Sequence, residues 1–290
     1  MNVIETHHLK KYYGSTRGLE DGTLEVKENE IFGFIGPNGA GKTTLIRLLL
    51  DLIKKTDGSA EVFGKNPEQH APWINARVGF LPSEAFFFPE MKGCEVIRFY
   101  SEIRHADHAR VDTLIDRLKF DTKKTISELS FGNRKKLGII VALMHDPDIL
   151  VLDEPTTGLD PLMKKSFLDL LLEEKKKGRT IFLSSHVLSE VEKVCDRVAF
   201  IKDGIVTKPV NMNELGQRNK KMVKIKPDDL KLDLQGLEKT ETLNNRAVYT
   251  YEGDLKRLLD YLKNSDITDV SINDATLEDL FLDYYKGETS

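Results

Sequence analysis

Residues 36–43, Gly-Pro-Asn-Gly-Ala-Gly-Lys-Thr, constrain this chain more than any other segment. The spacing is GxxxxGK[ST]. Its glycines let the backbone curl until successive N–H groups point inward and make an anion nest. The apolar run Ile31–Ile35 precedes the loop, and Thr43–Ile53, of helical character, follows it. A strand, a glycine loop and a helix in that order aim the positive end of the helix at the same nest. Gly36, Pro37, Asn38, Gly39, Ala40 and Gly41, with Thr44 beside them, are therefore expected to cradle phosphates. Lys42 reaches the β- and γ-phosphates of a nucleotide, and the Thr43 hydroxyl binds Mg²⁺.

The rest of the chain agrees with an α/β fold. Val78–Leu81, Ile149–Leu152, Ile181–Ser184 and Val198–Ile201 read as further short buried strands separated by helical stretches. That alternation predicts a P-loop core with a mostly parallel sheet and helices on its faces. The pattern changes near Lys208-Pro209. Beyond it, Met222–Lys226 and Ala247–Tyr251 tend toward period two, Asp254 can cap a helix through Leu262, and Ile267–Ile272 looks like a strand. Thr276-Leu277-Glu278-Asp279 resembles an acidic capping box opening a helix that ends near Tyr285. The expected organisation is a main domain over 1–208 and a small α+β appendage over 212–290.

With 290 residues, the chain can bury a core without disulfide staples. Its longest apolar runs fall far short of the ~18 residues a membrane helix needs, and its first residues do not read as a secretory leader. The balance of 43 basic and 47 acidic residues, net −4, argues against a nucleic-acid partner. Cys94 and Cys195 read as free thiols of a reducing compartment.

A second chemical signal is Leu150-Val151-Leu152-Asp153-Glu154, two carboxylates at the carboxyl end of a buried strand. Ligands gather at that edge of a parallel sheet. Alone the pair is weak evidence, because acidic residues often follow strands. Joined to the phosphate loop it places Asp153 to hold Mg²⁺ through water and Glu154 to polarise an attacking water.

Further motifs follow in order. Leu129-Ser130-Phe131-Gly132-Asn133 is similar to an LSGGQ signature, Pro155 follows the acidic pair, Gly158-Leu159-Asp160-Pro161 is similar to a D-loop, and His186 follows a strand. Over about 1–208 the chain resembles the ATP-binding subunits of ABC transporters, of the bacterial exporter type. The resemblance implies a helical subdomain over about 86–145 and ATP and Mg²⁺ as cofactors. It also implies a head-to-tail pair of such subunits, self or paralogue, with ATP between the phosphate loop of one and the signature of the other. Ser130, Gly132, Asn133 and Asp160 would then contact nucleotide, His186 would contact the γ-phosphate, and Tyr13 would stack on adenine, with Tyr12 as the competing ring. Ser130 can N-cap the helix that follows, so that its hydroxyl and the next N–H groups form a second anion site. The pair would power export of a peptide, drug or lipid through a separate membrane-spanning subunit, from the cytoplasmic face of the membrane. The alternatives are a soluble ATPase of nucleic-acid repair or translation, and a regulator without turnover.

Two departures from the family pattern stand out. The signature carries Phe131 and Asn133 where Gly and Gln are commonest. After Pro82, Ser83-Glu84 replaces the usual glutamine; Ser83 is expected to reach the metal through a bridging water, with Glu84 turned toward the membrane partner. Phe86-Phe87-Phe88 reads either as core or as a docking surface, with docking favoured for at least one ring. His105 and His108 have i,i+3 spacing on an expected helix but no third ligand, so a metal site there is disfavoured.

Overall fold

The computed structural model describes residues 1–212, 220–228, 232–243, 245–274 and 277. The chain divides into two compact units, 1–210 and 211–290.

The first unit contains nine strands of one sheet in the order β4-β1-β2-β9-β8-β3-β7-β6-β5. These are β1 (Asn2–Tyr13), β2 (Thr16–Lys27), β3 (Ile31–Ile35), β4 (Asp57–Val62), β5 (Val78–Leu81), β6 (Ile149–Asp153), β7 (Thr180–Ser185), β8 (Arg197–Lys202) and β9 (Ile205–Val206). Strands β8, β3, β7, β6 and β5 pair in parallel, whereas β1 pairs antiparallel with β2 and β4. β3, β6 and β7 are buried at every position, as parallel strands covered on both faces must be. Phe32 and Phe34 flank Phe182 at 5.8 and 5.5 Å between ring centroids.

The antiparallel part, β1, β2 and β4, has no counterpart among the expected strands. Its apolar residues are interrupted by register shifts between Asn2 and Ile4 and repeatedly between Thr6 and Tyr12. In β1 each shift moves the following side chains off a strict period of two, so the alternation that marks a strand is lost, while β2 alternates over residues 22–27 but has only Leu24 and Val26 as apolar residues there.

The helices are α1 (Lys42–Leu49), α2 (Pro67–Asn75), α3 (Gly93–Arg104), α4 (His108–Leu118), α5 (Phe131–Leu143), α6 (Pro161–Lys176) and α7 (Leu188–Val194). α1 stops short of the expected Ile53 because Asp51 takes a left-handed φ of 56°. His105 caps the end of α3 at φ 51° and His108 opens α4, so the two histidines lie on different helices, not on one face. α3 and α4 both pack on α5, and α4 also packs on α6. There Glu174 of α6 is buried, and its carboxylate accepts from Arg110 of α4 at 3.0 Å, Lys177 at 2.9 Å and Arg179 at 2.6 Å. Burial by itself would raise this carboxyl, but the hydrogen bonds from Arg110 and Lys177 hold it below its ordinary value.

Just beyond α5, the His145 ring lies 3.2 Å (Nε2) from the Val78 carbonyl, while Nδ1 is buried without a partner. Burial, then the charges of Arg104 and Arg110, push the imidazole down to about 4 against the opposing Val78 bond and Asp146. The folded chain thus binds fewer protons here than the unfolded chain between about pH 6.5 and 4. Stability is therefore expected to fall as pH drops through that window, by about 1–3 kcal/mol from this group. Urea unfolding of wild type and His145→Gln at pH 7 and pH 5 checks this; an equal acid loss in both would refute it.

The described residues of the second unit form a four-stranded sheet in the order 237–243, 246–252, 220–226, 269–274, all antiparallel. One helix, Leu255–Lys263, packs on it through Leu258 and Leu262. Asp254 caps that helix, accepting from the Lys256 N–H at 2.9 Å. The strand 237–243 carries no strand signal, because its sequence Leu-Glu-Lys-Thr-Glu-Thr-Leu is too polar to show an apolar face. The expected helix from Thr276 to Tyr285 lies outside the described residues, except Leu277.

Candidate nucleotide site

Strand order brings the chemistry together. β7 lies between β3 and β6, with Ile35 opposite Ser185 and Asp153 opposite Ser184. β5 lies on the far side of β6, with Leu81 opposite Leu152. The phosphate loop, Ser184–His186, Asp153–Glu154 and Pro82–Ser83 therefore all leave the sheet at its carboxyl edge, where an open α/β sheet binds ligands.

The phosphate loop turns into α1 at Gly41, whose φ of 113° is open only to glycine and whose α-carbon faces the Gly18 carbonyl too closely for any Cβ. The first residue of α1, Lys42, is buried. Its ammonium donates to the carbonyls of Gly36 at 2.6 Å and Pro37 at 3.1 Å, and lies 3.2 Å from Glu154 Oε1. One residue on, Thr43 donates its hydroxyl to Asp153 Oδ2 at 2.7 Å, while Ser184 Oγ donates to Asp153 Oδ1 at 2.5 Å.

Glu154 leaves β6 with φ 48° and donates its N–H to Ser184, 3.2 Å from both the carbonyl and the hydroxyl oxygen. This turns its carboxylate back toward the loop. His186 Nδ1 is 2.7 Å from Oε2. Oε1 is buried and accepts no hydrogen bond, its contact with the Lys42 ammonium at 3.2 Å being an ion pair. Glu154 thus offers one oxygen to a third party, with a cation on one side and an imidazole on the other.

A cleft of about 590 Å³ opens over these groups, lined by Asn38, Thr43, Ser83, Asp153, Glu154 and His186 among others. An adjoining hollow of about 420 Å³ runs past Thr44, Lys42 and Gly39 to Tyr13, Arg17 and Gly18. Tyr13 is 45 % exposed there, with the Lys11 ammonium 5.0 Å from its ring. Tyr12 is engaged elsewhere: its hydroxyl donates to the Glu20 carboxylate, and that bond, with burial, raises its pKa.

The signature residues stand apart from this cleft. Ser130 caps α5, its hydroxyl accepting from the Asn133 N–H at 3.3 Å, and Asp160 caps α6, accepting from Leu162 and Met163 at 3.1 and 3.0 Å. Gly132 presses against the Gly158 carbonyl, where a Cβ would come within 2.6 Å. Ser130, Gly132, Asn133 and Asp160 line neither hollow of the same chain, although Phe131 borders the larger one.

Two further residues of the site belong to no motif of the sequence. Ser184 touches both acidic residues, a role visible only from its register opposite Asp153. The other is Lys135 of α5, 2 % exposed. Its ammonium donates to the Ser83 carbonyl at 2.8 Å and the Pro82 carbonyl at 3.2 Å, with the Asp153 carbonyl at 3.5 Å. Burial pushes it down to about 8, against the opposing charges of Asp153, Glu154 and Glu84. A lysine flanked at three-residue spacing by Gly132 and Gly138 was the available signal.

On the loop after β5, Glu84 is exposed, Phe86 and Phe88 are 85 % and 74 % exposed, and Phe87 stands edge-on to Tyr100. With Met91, Val96 and Phe99 the three rings line an apolar groove of about 300 Å³. Among the described residues no helix is long and apolar enough to cross a membrane.

Comparison with known proteins agrees with this geometry. Residues 19–157 match the family model described as ABC transporter. The chain is 33 % identical to a bacitracin transport ATP-binding protein, BcrA, of Bacillus licheniformis, over 99 % of this chain and 98 % of that one. It is 31 % identical to a Nod factor export ATP-binding protein of Cupriavidus pinatubonensis, over 97 % and 90 % of the two chains. A solved ATP-binding subunit of an ABC transporter superposes with a TM-score of 0.68 at 25 % identity, covering 74 % of this chain and 92 % of that one. The glycine loop, the acidic strand end and these near full-length similarities together show that the chain belongs to the ABC transporter family, as one of its ATP-binding ATPase subunits.

Proposed function

We propose that this ATPase subunit works in a head-to-tail pair on the cytoplasmic face of a membrane, powering export of a peptide through a separate membrane-spanning subunit. The observation that carries the hydrolytic part is the meeting of Lys42, Thr43, Asp153, Glu154 and His186 at one sheet edge. Lys42 and the loop N–H groups bind the β- and γ-phosphates, and Tyr13 gives the base a ring to stack on. Glu154 takes a proton from the attacking water at Oε1, the oxygen with no hydrogen bond of its own, while His186 orients Oε2. The Thr43 hydroxyl, the Asp153 carboxylate and Ser83 form a hard-oxygen set of the kind Mg²⁺ prefers. They would hold that ion, which when bound neutralises charge on the phosphates.

The separation of Ser130, Gly132, Asn133 and Asp160 from their own cleft supports pairing, because a helix N-terminus presents its first N–H groups to an anion, and at α5 that anion would be a second subunit's nucleotide. The exposed rings Phe86 and Phe88 beside the Ser83 loop supply the apolar surface on which a membrane subunit would seat. Peptide as cargo is supported by similarity to the bacitracin transport protein over nearly the whole of both chains, the small second unit included. The test is to co-express the chain with the membrane protein encoded beside it, reconstitute both in vesicles, and measure ATPase activity. Stimulation by bacitracin and not by a Nod factor is expected. Stimulation by the Nod factor alone would reject the peptide reading, and failure to form a complex would reject the coupling.

A further inference from the structure

Lys135 is a buried cation with no part in the phosphate chemistry. It lies on α5, the helix that begins at the signature. Gly132, Lys135 and Gly138 follow one another at three-residue spacing and so share one helix face. Each meets a different part of the catalytic edge. Gly132 abuts the Gly158 carbonyl, in the segment between Glu154 and α6, and Gly138 abuts the side chains of Leu81 and Ala85, on either side of Ser83. Between them the Lys135 ammonium spans the Pro82 and Ser83 carbonyls and approaches that of Asp153. The two glycines make only close contacts, which tolerate sliding. The ammonium supplies the directional tie, and it joins the signature helix, the Ser83 loop and the residue preceding Glu154.

We propose that Lys135 is a positioning residue for ATP hydrolysis, holding the Ser83 loop and the Asp153–Glu154 turn in fixed relation to the signature helix. Lys42 and the phosphate loop lie on other elements and reach Asp153 and Glu154 only through side chains, whereas Lys135 holds backbone carbonyls of that edge. Its loss should therefore spoil the placement of Glu154 and leave nucleotide binding intact. The inference rests on Glu154 being the base, so the experiment separates the two.

The full-length chain is compared with Lys135→Met, which keeps the length and loses the donors, with Lys135→Arg, which keeps them, and with Glu154→Gln. Steady-state kcat and KM, the Kd of a fluorescent ATP analogue and the thermal midpoint are measured for each. Misplacement on the order of an ångström costs up to ~10²-fold in rate, so Lys135→Met should lose ~10-fold or more in kcat with KM and Kd within about twofold of wild type. Lys135→Arg should recover most of that loss. A Lys135→Met protein with wild-type kcat would overturn the proposal. So would parallel losses in kcat, Kd and thermal midpoint, or a Lys135→Arg protein as slow as Lys135→Met, since either marks a plain packing role. If Lys135→Met proves unfolded, Lys135→Gln, with a shorter two-donor amide, takes its place under the same criteria. A fast Glu154→Gln protein would instead remove the assignment of the base, whatever Lys135 does.

Discussion

Glu154→Gln is expected to lower ATP turnover by ~10²–10⁴-fold while leaving ATP binding in place, the cost usual for losing a general base. The geometry confines the damage to the chemical step. The Glu154 backbone is held by its N–H to Ser184, which glutamine preserves. The carboxylate sits between Lys42 at 3.2 Å and His186 at 2.7 Å. An amide still fills that space and can still meet His186, but it cannot accept a proton from water at the Oε1 position. Lys42 keeps its two loop carbonyls and remains free to meet phosphate. The measurement is single-turnover hydrolysis with Mg²⁺, together with sizing of the protein in ATP. A slow enzyme that gathers as an ATP-bound pair is the expected result; wild-type turnover would show that another group is the base.

Lys42→Ala should act earlier, on binding itself. The Lys42 ammonium is buried within the loop that curls around it. Hydrogen bonds to charged groups contribute about 1.5–3 kcal/mol. Losing the one to phosphate should weaken ATP by roughly 10–100-fold and bring turnover below detection. The loop loses a tether as well, since the carbonyls of Gly36 and Pro37 accept from this ammonium. Titration with a fluorescent ATP analogue beside a steady-state assay separates the two effects. Unchanged affinity with normal turnover would contradict the assignment. The contrast between the two variants is the informative part: one binds without turning over, the other binds poorly.

The phosphate loop and the acidic pair are legible in the sequence because each is contiguous. A nest needs consecutive N–H groups, and the glycines that permit it stand next to the lysine that serves it. Asp153 and Glu154 follow directly on the strand that carries them. β3, β5, β6, β7 and β8 are legible as well, since strands buried on both faces must be apolar throughout. By contrast, β1 hides because its bulges break the alternation that would reveal it, and β2 because only Leu24 and Val26 are apolar in its alternating half. What no run of residues states is which strand lies beside which. The order β3-β7-β6-β5 sets Ser184 against Asp153, aims His186 at Glu154 and brings the Ser83 loop under Lys135. These contacts join positions tens of residues apart, and they exist only because parallel pairing and register bring the strand ends to one edge. The sequence alone thus determined the chemical groups and their local loops. The tertiary structure decided their adjacency, and with it that a lysine on the signature helix is tied to the catalytic edge, because distances across a sheet are set by hydrogen-bond pairing and not by position along the chain.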